Sequence, residues 1–207
     1  MEAGILALLC LAVLSILVCT GWLPGLEQEL SLGKRDLFIF LALSFWFAIR
    51  LPLSMDPALF IHPGIFSLFL LFFILLKQIS PNRLLSLVSF SICTSSILFI
   101  WHEMFRMSGD WSDSLFRTVT STVIPLGALA VSNVLGEKMF YLAFTFLSLH
   151  LIVLYFHREA LSPVVIGEEA FLDAFWLALT IFVLLLEPIP SLVRWIREGG
   201  FPGIRKR

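Results

Sequence analysis

The chain has 207 residues, of which 59% are apolar and only 14% charged, and 21 are phenylalanine. Soluble domains carry about 25% charged residues and must show water a polar surface, so this composition argues against a water-soluble domain. A formal net charge of -1 leaves no basic field for nucleic acid. Cys10, Cys19 and Cys93 are dispersed in apolar runs, a pattern that gives neither a disulfide framework nor metal-ligand spacing.

The pattern predicts an all-α fold, a polytopic transmembrane helical bundle of about seven spans forming a single domain over residues 1–207. A spanning helix needs about 20 apolar residues. The first stretch, 3–23, lacks the basic flank of a secretory signal and reads as a retained helix. The second, 37–54, contains Arg50. The third, 58–77, opens on Asp56-Pro57, an N-cap followed by proline, and should kink at Pro63. If that helix starts after Pro63 instead, it is short and residues 54–63 lie along the membrane interface. The remaining stretches are 84–103, 117–135, 139–157 and 170–187. Pro188 and Pro190 stop the last one, and residues 188–207 read as a short interfacial cytoplasmic tail carrying Trp195 beside Arg194 and Arg197.

Two stretches are rich in hydroxyls. On the fourth, Ser89, Cys93, Ser96 and Glu103 fall near one stripe, and the fifth carries Thr118, Thr120, Ser121 and Thr122 with Pro125 and Gly127 at its middle. Small and hydroxyl residues let helices approach closely, so these two helices are expected to form the bundle interior. Ala3 and Ala7 offer a close-packing face for another membrane protein.

Lysine and arginine set the orientation. With the N-terminus outside, ten basic residues fall inside (Lys34, Arg35, Lys77, Arg83, Lys138, Arg194, Arg197, Arg205, Lys206 and Arg207) and four fall outside (Arg50, Arg106, Arg117 and Arg158). The expectation is N-out and C-in. The chain's small size suggests a bacterial plasma membrane.

Under that topology the uncommon polar residues gather at the outer side, Arg50, His62, His102, Glu103, Arg106, His157, Glu169 and Asp173, and His150 joins them as a candidate from near the middle of its span. Ionisable groups inside the apolar thickness are expensive and therefore candidates for function. His102 and Glu103 both reach Arg106, at four and three residues. His150 and His157 lie seven apart on one helix face, and Glu169 and Asp173 are four apart. A neutral His150 donating to a neighbouring helix and a solvated helix entry at Glu169 and Asp173 are the plain structural expectations; an acidic face there that meets a cation is the functional one.

Enzyme templates fail on spacing. His102-Glu103 lacks the second histidine of a zinc protease helix, and Gly-x-Ser-x-Gly is absent. Phe146 to His150 and Glu168-Glu169 share pieces with intramembrane CAAX-type peptidases, but in reversed order and with Asp173 where an arginine belongs. The ligand types of His62, His102, His157 and Glu103 suit zinc, but spacing assigns no metal and no cofactor. Three functions stay open: a membrane protein that binds or moves a small solute or ion through an outward-facing polar cup, a membrane-embedded hydrolase or transferase using His102, Glu103 and His157, and a non-catalytic assembly protein. The expected partners are the lipid bilayer, a small solute or ion, and another membrane protein. A reporter active only in the cytoplasm, fused after Arg207, should report activity; silence there overturns the orientation.

Overall fold

The computed structural model describes residues 4–23, 26, 30, 32–56, 58–108, 113–158 and 163–186, with the side chains of 108, 113 and 114 left aside. The expected stretch 188–207 lies outside the described residues, as does Ala3. Among the described residues there are seven helices and a small sheet.

Helix α1, Ile5–Thr20, is apolar on every side and stops at Gly21, which takes φ 73°. Gly21 donates to the Val18 carbonyl and Trp22 to that of Leu17, the paired closure that a left-handed glycine permits. Helix α2 is Lys34–Ala48 and helix α3 is Ile65–Leu76. Helix α4, Pro81–Ser108, places its proline at the first position, where no amide is missed. Helices α5, Asp113–Val131, α6, Leu135–His157, and α7, Glu169–Leu186, complete the set.

Each of the seven expected apolar stretches carries a helix, and among the described residues three helices are both long and apolar enough to cross a membrane: α4 over Pro81–Met107, α6, and α7. The third stretch follows the alternative of a short helix that starts after Pro63. Its helix begins at Ile65 rather than at residue 58, because Pro63 disfavours helical backbone at His62. The preceding chain forms strands β1, Leu53–Asp56, and β2, Leu59–Ile61, paired antiparallel. Strand β3, Val164–Ile166, is made of β-branched residues and adds to β2 in parallel. A helix-only reading of the chain contained no sheet.

The interior also differs from expectation. Helices α6 and α7 form the centre: α6 packs on α3, α4 and α5, while α7 packs on α1 and α5. Phe140, Phe175, Trp176 and Phe182 are completely buried there. Helix α4 instead lies at the outside, with Ser89 and Cys93 exposed. Its inward stripe is Leu87, Ser91, Ser95, Leu98 and His102, one face of a 3.6-residue period. Helix α5 does pack closely, since a Cβ on Gly127 would stand 3.1 Å from the Tyr141 hydroxyl. Ala7 is buried against the chain's own α7 and is no free docking face.

Gly167 links β3 to α7 with φ 74°, and a Cβ there would lie 2.9 Å from Cβ of Ile65. Gly167→Ala should therefore cost at least ~1–2 kcal/mol from left-handed backbone alone. A lowered thermal midpoint in detergent would register it, and an unchanged midpoint would contradict the close approach.

Candidate functional site

The site is built where α4 and α6 end together. These helices run parallel and are clamped by hydroxyls. Ser95 Oγ donates to the Thr145 carbonyl at 2.9 Å, Ser91 Oγ to that of Tyr141 at 3.5 Å, and Thr94 and Tyr141 share a hydrogen bond of 2.8 Å. The parallel pairing carries through to their C-terminal ends, where Glu103 meets His157.

Glu103 Oε1 lies 3.0 Å from His102 Nδ1 and 2.9 Å from His157 Nε2, while Arg106 donates to Oε2 at 3.0 Å. One carboxylate thus gathers two imidazoles and a guanidinium from two helices. The His102 ring packs on Phe116 of α5, with centroids 4.2 Å apart, and the His157 ring lies 6.3 Å from Phe99. The side chains of His102, Glu103 and His157 are 10%, 23% and 15% exposed, so the group is shielded without being sealed. Charge-assisted hydrogen bonds of this kind are short and directional. A carboxylate between two imidazoles can hold a cation, or pass a proton between rings.

The other expected residues go elsewhere. Asp173 is buried on α7 and accepts from the backbone amides of Gly4 at 3.0 Å and Ala7 at 2.6 Å. Those are the first amides of α1, which has no side-chain cap of its own and no acidic residue in its first turn. Asp173 is thus the missing N-cap, supplied from another helix. His150 Nε2 accepts from the Gly167 amide at 2.9 Å, and its ring stacks on Phe171. The expected direction is reversed, for the ring receives rather than gives at that nitrogen, and its partner is a backbone amide ahead of α7. His62 Nδ1 accepts from the Gly64 amide at 3.0 Å, while the His62 amide donates to the Ile166 carbonyl at 2.9 Å. Burial pushes the His62 ring below its usual pKa, against the opposing pull of Glu169.

Glu169 is exposed beside Gly4, within van der Waals reach of where a Cβ would stand. Arg50 is also exposed, with its guanidinium 3.9 Å over the Trp46 ring, and no ion pair to Glu169 or Asp173 is present among the described residues. Of nine expected site residues, four therefore assemble: His102, Glu103, Arg106 and His157. Sequence reasoning missed Phe116 and Phe99, which hold the two rings; an aromatic near a helix end carries no signal that separates such support from ordinary packing.

The far end of the bundle is different in kind. A cavity of about 40 Å³ lies there, lined by apolar side chains such as Leu14, Leu37, Leu71, Met139 and Leu179. No family model matches the chain, and no curated protein or solved structure is significantly similar to it.

Asp173→Ala removes the cap on α1 and should cost ~1–2 kcal/mol. Asp173→Asn keeps an acceptor and should fall between. Equal thermal midpoints for wild type and Asp173→Ala would refute the capping role.

Proposed function

We propose that this is a multi-pass integral membrane protein whose seven helices cross or enter the bilayer with N-out, C-in orientation, and which binds a small solute or ion at the His102–Glu103–His157–Arg106 cluster. The carrying observation is Glu103: its two carboxylate oxygens collect three nitrogen groups from α4 and α6. Buried polar groups that serve the fold bond to backbone, as Asp173, His150 and His62 do. The Glu103 group bonds among its own side chains and keeps partial exposure.

The apolar outer surface supports a lipid surround. Leu85, Ile97, Phe73 and Leu51 are 72%, 62%, 61% and 83% exposed, a pattern that water penalises and hydrocarbon does not. The alternation of helix directions supports the placement of the cluster at one membrane face. It puts the starts of α1, α3, α5 and α7 beside the ends of α2, α4 and α6. The distribution of lysine and arginine supports an orientation with the cluster outward. A membrane-embedded hydrolase is the second reading, favoured by the assembly of His102, Glu103 and His157 as an acid–base group.

The test is ligand-dependent melting of the full chain in detergent, against potassium, magnesium, zinc, acetate and inorganic phosphate. A ligand at 100 times its Kd adds about 2.7 kcal/mol, a rise of about 5–10 °C for a chain of this size. At least one of these should give that rise in wild type and not in Glu103→Gln. If none does, the cluster is not a ligand site and the assembly-protein reading takes its place.

A further inference from the structure

We infer that the ligand is a divalent transition metal, of which zinc is the type, bound by one nitrogen of His102, one of His157 and a carboxylate oxygen of Glu103. This rests on the reading of the cluster as a ligand site and names its occupant. One atom from each of the three side chains lies within 4.8 Å of the others. Tetrahedral zinc with ligands at about 2.0–2.1 Å separates neighbouring ligand atoms by about 3.3 Å. The observed Nδ1–Oε1 and Nε2–Oε1 distances, 3.0 and 2.9 Å, are each a few tenths of an ångström short of that. Small ring rotations are enough to admit an ion.

The chemistry of the donor set points the same way. Two imidazoles and one carboxylate form a borderline-soft, singly charged set, which suits zinc better than calcium or magnesium. Those hard cations prefer six or more oxygens or several retained waters, and here nitrogen supplies two of the three ligands. Three protein ligands leave a fourth position open to water or solute. An anion is disfavoured, since the Glu103 carboxylate occupies the centre of the group.

The support around the ligands is that of a metal site. Arg106 holds Oε2 and so keeps Oε1 turned toward the two imidazoles, as outer hydrogen-bond partners of ligating carboxylates do. Arg106 is 54% exposed, so its charge is largely solvated and weakens an incoming cation only modestly. Phe116 packs on the His102 ring and fixes its plane, and Phe99 flanks His157. On binding, the ring nitrogens that face Oε1 present lone pairs, and their protons move to the other ring nitrogen or to solvent.

Full-length protein in detergent is stripped with a chelator, loaded with zinc, desalted, and its metal counted by elemental analysis. Wild type should retain about one zinc per chain, as a three-ligand protein site does, and His102→Gln and His157→Gln should lose it at unchanged far-ultraviolet dichroism. Glu169→Gln, at the exposed carboxylate beside Gly4, should bind like wild type. Cobalt loading is the second measurement: an intense visible spectrum marks four-coordinate geometry, and a weak one marks octahedral hydration. Substoichiometric zinc in folded wild type overturns the assignment, as does stoichiometric zinc kept by both histidine variants. If zinc fails while magnesium, potassium, acetate or phosphate still raises the melting point through Glu103, the metal is wrong and the ligand site stands. If nothing binds, both fall.

Discussion

Backbone amides at turns and helix starts have no intrahelical acceptor, and in an apolar bundle few other acceptors are near. The fold meets this at three glycines with three side chains. Asp173 accepts from Gly4, His62 from Gly64 and His150 from Gly167. Two of these bonds tie separate pieces together and one closes a local turn, all at one end of the bundle. The first fastens α1 to α7, the second shapes the entry to α3, and the third fastens α6 to the turn between β3 and α7. An unsatisfied buried amide costs several kcal/mol in hydrocarbon, so these acceptors are not interchangeable with apolar residues. Glycine serves at each place for a local reason. Gly4 and Gly167 take left-handed backbone, and at Gly64 a Cβ would run into the buried Leu172 side chain.

Removing those three side chains from the pool of functional candidates changes the meaning of the rest. Among the nine, His102, Glu103, Arg106 and His157 are the ones that bond to one another. Glu103 Oε1 is shared by two rings while Oε2 is held by Arg106, so the carboxylate cannot turn without breaking three contacts. The rings are likewise held by Phe116 and Phe99. A set fixed from two sides is organised before any ligand arrives, which lowers the ordering cost of binding. The hydroxyl clamps between Ser95, Thr145 and Ser148 transmit the same rigidity down the α4–α6 seam.

Helix placement was legible because apolar length alone locates such segments. Strands of three or four residues were not, since Leu59-Phe60-Ile61 reads equally as the start of an apolar helix and only the Pro63 restriction separates the two. Faces were harder still. Ser89, Cys93 and Ser96 looked like the inward stripe of α4, but Ser91 and Ser95 face α6 instead. Both sets fit a helical period, and an exterior of lipid type supplies no polar face to choose between them. At the site, the His102–Glu103–Arg106 spacing was readable within one helix, whereas His157 joined it only through the parallel pairing of α4 with α6. Asp173 and His150 misled for one reason: a buried ionisable residue looks the same in sequence whether its partner is a ligand or an amide.

The unequal helix lengths bear on how the proposed span count can hold. Sixteen, fifteen and twelve residues in α1, α2 and α3 give rises of about 24, 22 and 18 Å, against a hydrocarbon core of about 30 Å. Of these, α3 falls furthest short, and the strands β1 and β2 directly precede it. Strand β2 is paired on both sides, so the segment that could not continue α3 still satisfies its backbone without water. Strand β1 leaves one edge open and exposes Leu53 and Met55, beside Leu51 and the Trp46–Arg50 stack. Exposed aliphatic residues, a tryptophan and an arginine together suit the boundary between headgroups and acyl chains. On this reading the hairpin is a collar at the outer interface. It makes up part of the missing length of α3, while α4 and α6, the long helices, carry the polar cluster at their C-terminal ends.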